Sequence, residues 1–309
     1  MKRTTLLLAM LTVAALVVAT PSSAAQRKRV DRIAFTSTRS GNADVWAAGV
    51  DGSDQRRLTT DPLHDVQPDI SSDGRWVVFA RGLSLTSVPQ SADLWIMRSD
   101  GTEARPLVAD PATTEFRPDF SRDGRQVLFS RADGSGTVHE LWTLDLETKA
   151  LRRVAANANY GSWAPDGRRI VLLDNPVGGG QIAVLDLASG VRRRLTSEGG
   201  NVAPQWSPDG SRIVFTSFRR GDGEVWVMDA DGSDQHVVAA SSGKDGLATW
   251  SPDSRYIAFG STRDTPCPPQ LTELCPHRTY VATANGDDPQ AVPTTGTSDL
   301  YPVYFPRPR

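Results

Sequence analysis

A chain of 309 residues, 39% of them hydrophobic and 23% charged, is long enough to bury a sizeable core, and its formal net charge of −2 leaves no basic excess. That balance argues against nucleic-acid binding and against a polybasic membrane-surface protein. Positive charge is carried almost wholly by arginine, with lysine only at Lys2, Lys28, Lys149 and Lys244.

Lys2 and Arg3 precede an apolar stretch over residues 6–19, and Ser23, Ala24 and Ala25 offer small residues to a signal peptidase. Residues 1–25 therefore read as a secretory signal peptide. The alternative, a transmembrane anchor, needs roughly 20 apolar residues, more than this run supplies. Residues 26–309 are expected to form one soluble domain, secreted or periplasmic, with no membrane insertion.

Beyond that point a short apolar run recurs: "RIAFTS" at Arg32, "WVVFAR" at Trp76, "QVLFSR" at Gln126, "RIVLLD" at Arg169, "RIVFTS" at Arg212 and "YIAFGS" at Tyr256. Successive copies are spaced 43 to 50 residues apart, a period that signals propeller blades or helical arrays. The runs are rich in Ile, Val, Phe and Trp and bounded by Gly, Pro, Asp and Ser, which is strand chemistry. Four strands fit each repeat. The first ends at Ile70, Phe120, Trp163, Trp206, Trp250 or Tyr304, and all but the last of these lead through an Asp-Gly-type turn into the apolar run. A third strand follows ("DVWAA", "DLWIM", "ELWTL", "QIAVL", "EVWVM", "TYVAT"), then a short Arg-rich fourth. Gly74, Gly124, Gly167 and Gly210 suit positive φ in the turn, whereas Ser254 in the equivalent place implies another turn type or strain.

The N-terminal copy lacks a first strand, and the chain ends on "YPVYF" at Tyr301, an orphan first strand. Joining the two completes a sixth blade. The fold class is therefore all-β: a six-bladed β-propeller of four-stranded antiparallel blades, closed by the C-terminal strand in the N-terminal blade.

Cys267 and Cys275 lie eight residues apart, and in an oxidising compartment they are expected to form a disulfide. His277 makes a metal site the alternative, but two thiols and one imidazole fall short of a zinc shell. The histidines His64, His139, His236 and His277 occupy unrelated blade positions, and no Gly-x-Ser-x-Gly elbow occurs. "DADGSD" at Asp229 matches no calcium loop and reads as a hairpin turn. Neither a catalytic residue, a metal site nor a cofactor is expected.

One constellation remains. Five residues before each first-strand terminus stand Asp65, Glu115, Ala158, Asn201, Asp245 and Asp299. In a propeller these positions ring one mouth of the central channel, so Asp65, Glu115, Asn201, Asp245 and Asp299 are candidate ligand-binding residues, with Arg117, Tyr160, Lys244 and Tyr301 close by. The competing reading is that each caps its own loop. Four converging carboxylates should repel unless something offsets them.

The string aromatic-Ser-Pro-Asp-Gly, an Ile-Val-Phe-like strand, Ser-x-Arg, then Asp-x-Trp and Met-Asp-x-Asp-Gly resembles the WD-repeat-like propeller repeat of the TolB family. "WSPDG" at Trp206 and "VWVMDADGSD" at Val225 carry it most closely; "DISSDG" at Asp69, "DFSRDG" at Asp119 and "SWAPDG" at Ser162 are degenerate copies. The resemblance spans Arg32 to Phe305 and implies a six-bladed propeller that serves as an extracytoplasmic protein-binding module; with the channel-mouth residues, the expectation is an exported, non-catalytic monomer that binds a protein or cell-envelope ligand at its funnel face. It lacks the α/β domain that precedes the blades in TolB, so functions of that domain do not transfer. The alternative is a metal-dependent lyase or hydrolase acting at the channel mouth.

Overall fold

Six four-stranded antiparallel sheets stand around a central axis in a computed structural model that describes residues 32–82, 91–136, 138–175, 179–265, 276–295 and 298–306. The expected signal peptide and the Cys267–Cys275 pair lie outside the described residues. The first blade combines the C-terminal strand Asp299–Tyr304 with Arg32–Ser37, Asp44–Gly49 and Arg56–Arg57. Tyr304 pairs with Ile33 and Asp299 with Ser37, so the two ends of the ring close in one sheet, as the orphan strand implied. The innermost strands of the following blades are Asp65–Ile70, Thr113–Phe120, Ala158–Trp163, Asn201–Trp206 and Asp245–Trp250. Each ends on the residue that the repeat alignment assigned.

The core lies between blades, because both faces of every middle strand are apolar. In Asp93–Arg98, Leu94 and Ile96 pack toward the third blade while Trp95 and Met97 face the first. Five blades bury one phenylalanine completely (Phe35, Phe79, Phe129, Phe215 and Phe259), and the fourth blade has Leu172 there. Each such side chain contributes about 1.5–3 kcal/mol.

The Ser-Pro-Asp-Gly turns are built by side chains as much as by backbone. Ser207 Oγ donates to Asp209 Oδ1 at 2.6 Å and accepts from the Arg212 N–H at 2.9 Å. Ser254 adopts φ 57°, and its N–H reaches the Ser251 carbonyl at 2.9 Å. The turn type is thus kept and serine bears the strain. Among the described residues no helix is long and apolar enough to cross a membrane.

Candidate functional site: the central channel

Every innermost strand carries the same irregularity. Its register slips beside the residue in third or fifth place, and Gln67, Arg117, Tyr160, Ala203, Leu247 and Tyr301 all take φ between 51° and 57°. Proline follows at Pro68, Pro118, Pro204 and Pro302. Lacking an N–H, proline fits a bulge or a free strand edge, and here the innermost strand supplies both. The bulges are tied blade to blade: the Arg117 N–H donates to Gln67 Oε1 at 2.8 Å, and the Leu247 N–H to Thr216 Oγ1 at 3.0 Å. All six bulge residues line a cavity of about 60 Å³ on the axis.

Within that ring Arg117 dominates. Its guanidinium lies 4.5 Å from the centre of the Tyr160 ring and 4.4 Å from that of Tyr301, so tyrosines from two other blades stack on it. Arg117 Nε is buried and has no hydrogen-bond partner. Two residues further along their strands, Asp69 and Asp119 line the same cavity and a wider vestibule of about 330 Å³ toward the turns. Asp69 Oδ2 accepts the Phe120 N–H at 2.7 Å and Asp119 Oδ2 the Trp163 N–H at 2.8 Å, which staples neighbouring blades together. Burial pushes the Asp69 carboxyl up to about 6. Asp119 is raised well above the usual carboxylate range, first by burial and then by the charge of Asp69.

The five candidate binding residues occupy a different position from this ring. Asp65, Glu115, Asn201, Asp245 and Asp299 are almost fully buried, and none of them lines the channel cavity. The four carboxylates among them are not bare. What offsets each charge is an arginine in its own blade: Arg81 Nε to Asp65 Oδ1 at 2.7 Å, Arg131 Nε to Glu115 Oε1 at 2.9 Å, Arg263 Nη2 to Asp245 Oδ1 at 3.1 Å and Arg39 Nη2 to Asp299 Oδ1 at 2.9 Å. In the fifth blade Arg219 Nη2 donates to Asn201 Oδ1 at 3.3 Å. Every one of these guanidinium groups also stacks on an aromatic ring of the third strand: Trp46, Trp95, Trp142, Trp226 or Tyr280, at 4.0 to 4.8 Å.

The fourth blade has none of the four parts. Ala158, Leu172 and Ala183 stand where the other blades have carboxylate or amide, phenylalanine and tryptophan or tyrosine, and Asp174 stands where the second and third blades have Arg81 and Arg131 and the other three have a serine two residues before the arginine. Asp174 instead pairs outward with Arg192 at 2.9 Å and Arg194 at 3.0 Å. Here carboxylate and arginine are absent together, which leaves neither as an uncompensated charge; in the fifth blade Arg219 is kept beside the neutral Asn201 and hydrogen-bonds Gln235 Oε1 as well. Sequence reasoning passed over these arginines, although the Ser-x-Arg and Phe-x-Arg strings at Arg39, Arg81, Arg131, Arg219 and Arg263 were their signal.

His64 Nδ1 accepts the Ala43 N–H at 3.0 Å, and His139 packs edge-on against Phe116 at 6.3 Å. Among the described residues no group of three or more His, Cys, Asp or Glu is placed to hold a metal ion.

Residues 160–308 match the family model described as the TolB beta propeller domain. The chain folds as a six-bladed β-propeller like that of TolB. It is similar in structure to TolB from Acinetobacter baumannii (17% identity, TM-score 0.75), with 90% of this chain and 67% of that one covered. A putative TolB from Agrobacterium tumefaciens aligns at 22% identity and TM-score 0.66, over 90% of this chain and 99% of the other. An oligogalacturonate lyase from Vibrio parahaemolyticus shares the fold at 14% identity and TM-score 0.56, covering 84% and 74%. At such identities the likeness is one of fold, which in this group serves different chemistries. No curated protein matches the chain in sequence.

Proposed function

We propose that the chain is an exported, non-catalytic, monomeric propeller that binds a protein or cell-envelope ligand at its channel mouth. The observation that supports this is a contrast between two sets of equivalent positions. Where the fold needs a side chain, the blades repeat it: phenylalanine, arginine, aromatic, carboxylate. At the bulge they do not, presenting Gln67, Arg117, Tyr160, Ala203, Leu247 and Tyr301 on one repeated backbone conformation. Structural demand explains repetition, and chemical variety on a rigid frame is what recognition requires. Arginine and tyrosine are also the residue types that anchor protein interfaces. In this reading Asp65, Glu115, Asn201, Asp245 and Asp299 shape the mouth by holding its arginines and do not touch the ligand. The signal-like N-terminus and the TolB-like fold favour a location outside the cytoplasm.

The test is affinity capture from the source organism's envelope fraction, comparing the mature protein with a variant carrying Arg117→Ala, Tyr160→Ala and Tyr301→Ala whose melting temperature has been matched. A partner held by the wild type and lost by the variant supports the reading. Capture by neither would overturn it, and cleavage of a uronate polymer in the presence of a divalent cation would then favour a lyase.

A further inference from the structure

We propose that Arg117 captures a carboxylate of the bound partner, a C-terminal or acidic side-chain group inserted along the channel axis; this rests on the binding role proposed above. Within the blades, Arg39, Arg81, Arg131 and Arg263 each pair with a carboxylate. Arg117 makes no ion pair within the described residues, and the hydrogen bond it forms comes from its backbone N–H, not from the guanidinium. The Tyr160 and Tyr301 rings lie 4.5 and 4.4 Å from the guanidinium carbon and hold the group in place, while its buried Nε has no hydrogen-bond partner and the group lines the axial cavity. A planar guanidinium with a free edge matches a carboxylate through two parallel hydrogen bonds. Stacking orients the group without neutralising it.

The nearest acidic groups set how deep that ligand goes. Asp69 and Asp119 lie on the same cavity wall, but each has one oxygen turned onto the next blade's N–H. Burial and the charge of Asp69 favour the uncharged form of Asp119. The remaining charge of Asp69 opposes an anion at the level of the vestibule, so a carboxylate is held at the level of Arg117 and no deeper. Gln67, Leu247 and Ala203 complete the ring without adding charge.

Sodium acetate and inorganic phosphate serve as probes, titrated into the isotopically labelled mature protein while the Arg117 Nε–H resonance is followed. A saturable shift with acetate is expected, weakened about tenfold or more in Arg117→Gln and by a smaller factor in Arg117→Lys, which keeps charge but loses the fork. Asp69→Asn should tighten acetate binding. An Arg117 resonance that does not respond to acetate, or that binds phosphate more tightly than acetate, overturns the assignment. The envelope capture separates the two ideas: a partner retained equally by wild type and Arg117→Gln leaves the binding role standing and rejects the carboxylate, whereas a wild type that captures nothing rejects the binding role itself.

Discussion

The buried pair Asp65–Arg81 offers a direct test of how the blades hold charge. Arg81 Nε and Nη2 grip the two Asp65 oxygens at 2.7 and 2.9 Å, and the guanidinium stacks 4.0 Å from the Trp95 ring. Burial pushes the Asp65 carboxyl above its ordinary range despite the arginine's opposing pull, so desolvation outweighs the attraction. In Arg81→Ala a fully buried carboxylate keeps no cation, which should cost about 3–5 kcal/mol. Asp65→Ala should cost less, because Arg81 retains Asp61, at 2.9 Å and partly in water. The double variant should then be more stable than Arg81→Ala alone, with a coupling of about 1–3 kcal/mol. Urea unfolding at neutral pH, followed by tryptophan fluorescence and by circular dichroism to check that the transitions coincide, measures all four corners of the cycle. Additive costs, or an Arg81→Ala penalty below about 1 kcal/mol, would show that Asp65 is not held as a desolvated charge and would refute the reasoning.

Three further outcomes are expected. Asp69 and Asp119 titrate in the folded protein above their unfolded range near 4, so the native state binds more protons and stability falls as pH rises through about 6; Asp69→Asn with Asp119→Asn should flatten that fall and gain about 1–3 kcal/mol at pH 8, read from urea midpoints between pH 4 and 8. A chain ending at Ser298 loses the strand Asp299–Tyr304, the Arg39 ion pair and buried Tyr304, so the ring should melt at a lower temperature and less cooperatively; an unchanged calorimetric transition would contradict closure. Ala203→Gly relieves a non-glycine residue at φ 51° and should be neutral or stabilising by up to about 1 kcal/mol, whereas a clear loss in the urea midpoint would mean that the bulge carries no strain.

Blade number, strand limits and ring closure were legible in the sequence because each depends on a local signal repeated six times. A turn needs Asp and Gly in fixed places, and a strand sandwiched between blades needs apolar residues on both faces. The channel was less legible. Its bulges announce themselves only as a proline inside a strand, at Pro68, Pro118, Pro204 and Pro302, which by itself reads as an edge and gives no direction to the residue before it. Arg117, Tyr160 and Tyr301 were identified as neighbours of the mouth, but that Arg117 stacks on both tyrosines depends on bringing together the third, fourth and first blades, which no spacing encodes.

The carboxylate positions show that repetition has a structural account as well as a functional one. A residue type that recurs at Asp65, Glu115, Asp245 and Asp299 invites a ring of binding groups, yet recurrence is also what a structural pair produces when every blade must solve the same problem. The fourth blade discriminates between these explanations within the chain itself. A binding ring would allow Ala158 to appear while the local partners stayed, because the lost contact would be to a ligand. Instead arginine, tryptophan and phenylalanine disappear from the same blade, and Asp174 turns outward to Arg192 and Arg194. Loss of a complete local set points to mutual dependence inside the blade. The proposed ligand site is therefore placed where the backbone repeats and the side chains do not, at the six bulges around Arg117.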